Sequence, residues 1–157
     1  MQTTTTARTA TAAETDAIQY MTFYVKDVYC ALPTVTVQEV IRPGRITPVP
    51  GGPGHVVGIL NLRGKIVTIL DLARRLELGP TATGEATRAL ILERMGEFVG
   101  LLVDAVADVQ EIRPDTVAPP PANLRGTQGR YFEGVHESEN RLLAMLSVEE
   151  VLSEEER

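Results

Sequence analysis

One segment of this chain occurs twice, and this repetition limits the possible folds more than any other feature of the sequence. Gly58 to Leu76 has the pattern of a strand, a tight turn, a buried strand and a short helix. A degenerate copy of the same pattern follows 76 residues later, at Gly134 to Leu152. The repeat therefore predicts a fold built from two related halves.

The two copies keep the residues that a turn and a helix start require. Gly64 in the first copy corresponds to Asn140 in the second, and Gly and Asn are the residues that best tolerate a positive φ. Asp71 corresponds to Ser147, and both residue types are good helix N-caps. These four positions are interpreted as architectural.

Other matches extend the repeat over most of the chain. Val37 to Pro43 (VQEVIRP) is similar to Val109 to Pro114 (VQEIRP), and a proline-bearing loop follows each. Each half also begins with two apolar runs around a short turn, which is a hairpin signal. The runs are 20–25 with 28–32, and 88–94 with 97–103. Short strands with turns every 8–12 residues favour small barrels, so the sequence predicts two copies of one five-strand unit.

Composition divides the chain into a tail, two repeats and a linker. Seven threonines and five alanines dominate the first 17 residues, which cannot bury enough apolar surface to offset their ordering entropy. A small, polar stretch rich in Gly and Thr separates the repeats. The predicted divisions are a disordered tail 1–17, a folded region 18–152 with repeats 18–76 and 88–152 and linker 77–87, and a charged end 153–157.

Charge and composition exclude several classes of protein. The net charge is −6 and there are only seven aromatic residues, which argues against binding of nucleic acid. Cys30 is the single cysteine, which suits a reducing cytosol, and no apolar run approaches 18 residues. We therefore expect a cytoplasmic protein without direct membrane insertion.

The residues that could carry chemistry do not form a recognisable active site. His55, His136 and Cys30 lack metal-ligand spacing. Asp71 and Asp104 each follow an apolar strand, but a helix cap and a turn explain them more simply. The sequence contains no nucleophile elbow, phosphate-binding loop or dinucleotide fingerprint. We expect neither catalysis nor a cofactor.

Differences between the two copies point to a binding site at the first turn. Arg63 corresponds to Glu139, so the turn itself does not require arginine. Asn61 likewise corresponds to Glu137. These polar residues are candidates for a partner contact, and the alternative for Arg63 is an ordinary solvated turn charge.

A second candidate patch lies in the Val-Gln-Glu-Val segment. Glu39 stands between Val37 and Val40, an apolar surface with a single orienting charge, which is the composition of many protein interfaces. Glu111 has similar surroundings beside Val109. The alternative is a surface carboxylate on a half-buried turn.

These motifs resemble the family of the chemotaxis coupling protein CheW over about residues 18–152. The motifs are VQEV at 37–40, GILNLRG at 58–64, IVTILDL at 66–72, VGLLVD at 99–104 and VADV at 106–109. The resemblance implies a mostly β fold of two intertwined five-stranded SH3-like barrels with short helices. It also implies a non-catalytic adaptor that couples the cytoplasmic tips of methyl-accepting chemoreceptors to a CheA-type histidine kinase in membrane-associated arrays.

The resemblance also implies which residues meet the partners. Gly58, Asn61 and Arg63 match the motif associated with receptor and kinase contact, and Val37 and Glu39 match a segment implicated in the same assembly. Val109 matches a position in the second half that affects receptor binding. With Val40 of the apolar patch, the predicted partner-binding residues are Val37, Glu39, Val40, Gly58, Asn61, Arg63 and Val109.

Two other functions remain open from the sequence. Small β-barrels often bind oligonucleotides, although this chain lacks a basic stripe and has few aromatic residues. A small-molecule sensor or enzyme is the other alternative, and the absence of convergent titratable groups disfavours it.

Overall fold

The computed structural model describes residues 16–153, which form twelve strands and two one-turn α-helices. Of the predicted tail only Asp16 and Ala17, and of the charged end only Ser153, lie within the described residues. The strands are β1 (Ile18–Val25), β2 (Val28–Pro33), β3 (Glu39–Ile41), β4 (Val56–Leu62), β5 (Lys65–Asp71), β6 (Arg88–Arg94), β7 (Glu97–Val103), β8 (Ala105–Ile112), β9 (Asn123–Leu124), β10 (Thr127–Gln128), β11 (Phe132–Ser138) and β12 (Arg141–Leu146). The helices are α1 (Leu72–Arg75) and α2 (Val148–Val151).

Two five-stranded sheets exchange hairpins between the halves of the chain. The first sheet has the order β11-β12-β2-β1-β8, and the second has the order β3-β6-β7-β5-β4. The opening hairpin of each half therefore lies in the sheet formed mainly by the other half. This arrangement confirms the predicted intertwined, mostly β architecture built from a duplicated unit.

Parallel strand pairs join the exchanged hairpins to their new sheets. β5 runs parallel to β7, with Val67 opposite Phe98, and β12 runs parallel to β2, with Ala144 opposite Cys30. All the other strand pairs in the described residues are antiparallel. The parallel contacts are possible because long connections separate the paired strands in sequence.

Each sheet curls but does not close into a complete barrel. Beyond β3 the chain crosses to the opposite edge of the second sheet, where Thr47 bridges Ile59 of β4. Ala118 bridges Val135 of β11 in the same way on the first sheet. The strand ladders that the described residues form therefore leave each barrel partly open, while a single bridge draws its edges together.

The largest apolar core lies between the two sheets and under the helices. It contains Phe23, Leu32, Leu72, Leu90 and Leu101, each fully buried. Because residues from both halves pack in one cluster, burial of apolar surface stabilises the two sheets together.

The apolar runs of β5 and β12 are largely buried, but the first apolar residue of each run is exposed. Val67 and Leu143 are fully buried, as expected for covered strands. The apolar runs at 66–70 and 142–146 lack clean alternation, which predicts strands covered on both faces over their whole length. Ile66 and Leu142, one residue before Val67 and Leu143, are 56% and 45% exposed, so this prediction is wrong at these two positions. Both residues come directly after the first strand residue that follows the hairpin turn, and both precede the stretch that pairs with the parallel neighbour strand. Leu143 also precedes that stretch but is buried, so the start of the pairing does not by itself explain the exposure.

The Val-Gln-Glu segments match in sequence but occupy different registers. Glu39 lies opposite Ile91, three residues before the end of β6, whereas Glu111 lies opposite Gln19, six residues before the end of β1. When the β1–β2 and β6–β7 hairpins are superimposed by their turns, Val109, which lies opposite Met21, corresponds to Val40, which lies opposite Leu90, and not to Val37. Val109 and Val40 are both exposed. An odd shift of three also reverses the face of the strand, so the two glutamates are not equivalent.

Candidate partner-binding site

The turn between β4 and β5 is a two-residue hairpin turn that presents Arg63 to solvent. Arg63 and Gly64 have φ values of 51° and 87°, and positive φ at both central residues is the type I′ pattern. The sister turn, Glu139 and Asn140, has φ values of 51° and 66°. The backbone is therefore the same in both copies, and it accepts either arginine or glutamate at the first turn position.

Asn61 has a local role in this turn. Its Oδ1 atom accepts a hydrogen bond from the backbone N–H of Gly64 at 3.0 Å. Side-chain hydrogen bonds of this kind are typical of Asn near turns. Asn61 thus supports the turn that carries Arg63, and its contact with a partner stays a prediction.

Arg63 and Glu39, both predicted site residues, form an ion pair in the structure. Arg63 Nη2 donates to Glu39 Oε1 at 2.5 Å, and the two side chains are 68% and 34% exposed. This hydrogen bond raises the pKa of the Arg63 guanidinium above its usual value. The pair joins strands from opposite edges of the second sheet, so the tertiary fold brings together residues that are 24 positions apart.

Two exposed apolar side chains lie on the strands next to the ion pair. Val40, next to Glu39 in β3, is 37% exposed. Ile66, which pairs with Asn61 across the hairpin, is 56% exposed. We call Glu39, Val40, Asn61, Arg63 and Ile66 the Arg63 surface. Because strand residues alternate in face, Val40 and Ile66 lie on the side of the sheet opposite to the Glu39 side chain. The surface therefore combines an ion pair and exposed apolar side chains at one end of the sheet, and a protein partner could use both.

The structure gives Gly58 an architectural explanation. A Cβ atom on this buried residue would lie 2.1 Å from the carbonyl oxygen of Thr47. A Cβ atom on Gly134, the equivalent residue in the second copy, would likewise lie 2.6 Å from the Ala118 carbonyl oxygen. Glycine is therefore needed where the crossing chain bridges the sheet edge, and a direct partner contact by Gly58 stays a prediction.

Val37 and Val109 lie outside the Arg63 surface as defined. Val37 follows a 3-10 turn and packs partly buried against the large core. Val109 is 53% exposed and lies in β8, the edge strand of the first sheet, opposite Met21. Of the predicted residues, the structure thus pairs Glu39 directly with Arg63, and it places Val109 on the other sheet.

Ile66 is the residue of this surface that the sequence did not identify. It lies in a mostly apolar run, Ile66 to Leu70 with only Thr68 polar, and such a run is the usual pattern of a strand covered on both faces. Its counterpart Leu142 is exposed too. The only signal in the sequence was its position two residues after the predicted turn residue Gly64.

The remaining titratable side chains have structural surroundings. Complete burial raises the pKa of the Cys30 thiol, which disfavours the reactive thiolate. Burial, and then the nearby Arg75, lower the pKa of His55 below its ordinary value. Within residues 16–153 no three His, Cys, Asp or Glu side chains lie close enough to hold a metal ion. Over the same range no helix has the length and hydropathy to span a bilayer.

Comparisons with known proteins agree on one family. A sequence model of the CheW-like domain matches residues 19–156. The chemotaxis protein CheW of Rhizobium meliloti is 30% identical over 141 residues, which cover 88% of this chain and 90% of that protein. The chemotaxis protein CheW of Helicobacter pylori is 26% identical over 140 residues, covering 89% and 84%. The crystal structure of the scaffolding protein TtCheW from Thermoanaerobacter tengcongensis superimposes with a TM-score of 0.82 at 27% identity, covering 90% of this chain and 91% of that one.

Proposed function

The chain belongs to the CheW-like domain family, and from this premise we propose that it is a non-catalytic adaptor of a chemosensory array in the cytoplasm. In this role it couples the cytoplasmic tip of a methyl-accepting chemoreceptor to a CheA-type histidine kinase. Membership of a family whose relatives are named chemotaxis proteins, and similarity to a named scaffolding protein, support the adaptor role. The two partners are inferred from the resemblance of this chain's motifs to those of the CheW family.

The Arg63–Glu39 ion pair is the single observation that supports the Arg63 surface as the partner contact. Glu39 restrains a guanidinium that would otherwise rotate freely, and arginine has five N–H donors, of which one is used by this bond. The other donors remain available to a partner. Restraint before binding lowers the entropy that the partner contact must offset.

The apolar neighbours supply the other part of the contact. Val40 and Ile66 expose hydrophobic surface at the same end of the sheet as the pair, on the face opposite to Glu39. A helical partner could bury this surface while Arg63 fixes its register. Weak contacts of this kind become stable when several adaptor, receptor and kinase units assemble together.

The variant Arg63→Glu tests this proposal. The sister turn holds Glu139 at the same φ of 51°, so the fold should be preserved. We expect about tenfold weaker binding to a receptor-tip fragment or to a CheA-type kinase, because the variant replaces an attractive charge with a repulsive one beside Glu39. Isothermal titration calorimetry measures the affinities, and circular dichroism checks the fold.

Arg74→Glu is the matched control, since Arg74 is an exposed arginine in α1. It makes the same change of net charge away from the Arg63 surface, and it should leave both affinities unchanged. Unaltered binding of both partners by a folded Arg63→Glu variant would contradict the assignment of this surface.

A further inference from the structure

The tetrapeptide Asn-Leu-Arg-Gly of the Arg63 turn occurs a second time, at a place in the second repeat that does not correspond to the Arg63 turn. Residues 123–126 have the identical sequence and form the turn between β9 and β10. Arg125 and Gly126 have φ values of 52° and 93°, close to those of the first turn. The Asn123 Oδ1 atom accepts a hydrogen bond from the Gly126 N–H at 3.2 Å, as Asn61 does for Gly64 at 3.0 Å.

The two turns differ in what the arginine meets. Arg63 is paired with Glu39, whereas Arg125 is exposed and forms no ion pair with any residue in the part of the chain that the structure describes. The same turn structure thus holds Arg63 next to a carboxylate of the chain itself and Arg125 without such a carboxylate among the described residues. An exposed guanidinium held on a hairpin turn is suited to a carboxylate from outside the chain.

The surroundings of Arg125 form a concave surface. Three hairpin turns line one cavity of about 190 Å³: Asp27 comes from the β1–β2 turn, Arg125 from β9–β10, and Asn140 from β11–β12. Arg141 and Leu142 line the same cavity. We call these five residues the three-turn surface.

Charge and apolar exposure are combined on the three-turn surface. The Arg141 guanidinium lies 4.0 Å from the centre of the Tyr29 ring, which fixes its position. Leu142 beside it is 45% exposed. Two guanidinium groups and one carboxylate, that of Asp27, line this cavity, so its lining is net positive on a chain whose net charge is −6. Asp104 and Lys26, of opposite charge, line an adjoining cavity with Arg125 and leave this balance unchanged.

We propose that the three-turn surface binds an acidic segment of a partner protein, with a carboxylate of that segment beside Arg125 and Arg141 and an apolar side chain over Leu142. A protein segment fits better than a nucleic-acid backbone, because exposed Leu142 offers an apolar contact that a peptide side chain can fill and a phosphate backbone cannot. The surface belongs to the first sheet and the β9–β10 hairpin, whereas the Arg63 surface belongs to the second sheet. The proposal therefore adds a second contact that does not depend on the first.

A titration of the full chain with a synthetic peptide tests the proposal. The probe is a twelve-residue peptide that alternates Glu with Leu, and its control has Gln in place of every Glu. In ¹H–¹⁵N spectra we expect the Glu peptide to shift the amide signals of Leu124 to Gly126 and of Arg141 and Leu142. The Gln peptide should not shift them.

Variants assign the binding to the arginine. Arg125→Glu should weaken binding of the Glu peptide about tenfold. Its fold should be preserved, since a glutamate occupies the equivalent type I′ position at residue 139. Arg63→Glu, the same substitution in the same tetrapeptide, should leave this affinity unchanged, which separates this test from that of the proposed function.

Three results would overturn the proposal. The first is equal binding of the Glu and Gln peptides. The second is a folded Arg125→Glu variant that binds the Glu peptide as well as the unmodified chain does. The third is a dimer in analytical ultracentrifugation that Arg125→Glu dissociates, since the surface would then bind a second copy of this chain.

Discussion

At the scale of single residues, arginine has three different roles in this molecule. Arg63 is exposed and paired with a carboxylate, Arg125 is exposed without an ion pair among the described residues, and Arg75 is buried. The sequence could identify Arg63 as a candidate because its sister residue is Glu139. It could not assign Arg75, because a charged residue on a short helix usually lies on the solvated face.

Arg75 of α1 forms hydrogen bonds with the C-terminal end of α2. Its Nε atom donates to the Val151 carbonyl oxygen at 2.7 Å, and its Nη2 atom donates to the carbonyl oxygens of Glu150 at 3.0 Å and Ser153 at 2.9 Å. Carbonyl groups at the end of a helix lack partners within the helix. Arg75 satisfies them from the other half of the chain.

We predict that Arg75→Met destabilises the fold by about 2–4 kcal/mol, because buried carbonyl groups lose their donors while the apolar stem is kept. Urea unfolding followed by circular dichroism measures the change. Arg74→Ala, at the exposed neighbouring position, should change the free energy of unfolding by less than about 0.5 kcal/mol. Similar losses for the two variants would show that the carbonyl contacts of Arg75 contribute little.

At the scale of elements, the contacts kept by both halves are architectural. Lys65 lies 4.6 Å from the centre of the Phe98 ring, and its counterpart Arg141 lies 4.0 Å from that of Tyr29. Both cations follow a hairpin turn, and both rings lie on the strand parallel to that hairpin. The hairpins, turns and helix caps were predictable because they depend on residues close in sequence. The side chain of Asp71 accepts from the Arg74 N–H, as the predicted N-cap should.

The chain crossing at Gly58 gives a prediction at this scale. Gly58→Ala should destabilise the fold by about 2–3 kcal/mol, because the new Cβ would overlap the Thr47 carbonyl oxygen and force the crossing segment away from β4. Thermal and urea unfolding measure the loss.

Gly52→Ala is the control for this substitution. A Cβ at this residue would meet Val56 Cβ at 3.8 Å, an ordinary contact, so stability should change by less than about 0.5 kcal/mol. A Gly58→Ala variant as stable as Gly52→Ala would mean that the crossing segment can move without cost.

At the scale of the whole molecule, the exchange of hairpins makes the two halves interdependent. The first half supplies β1 and β2 to one sheet and β3, β4 and β5 to the other. The second half does the converse with β6 and β7. Neither half alone can complete a five-stranded sheet, and the large core draws on both.

We predict that fragments 18–76 and 88–152 are each unfolded when isolated, since each would expose unpaired strand edges and half of a core. An equimolar mixture should recover cooperative thermal unfolding by circular dichroism. Cooperative unfolding of either fragment by itself would contradict the interdependence of the halves.

The sequence alone determined the four main hairpins, the turns at Gly64 and Asn140, the helix caps and the existence of two related halves, because local residue chemistry controls these features. It also separated Arg63 from the residues that the turn requires. It did not predict the short β9–β10 hairpin. The tertiary structure decided that Glu39 meets Arg63, that Ile66 is exposed, and that the Val-Gln-Glu segments differ in register. These features depend on which distant strands pair and where the pairing begins, and neither an apolar run nor a charge in the sequence specifies that.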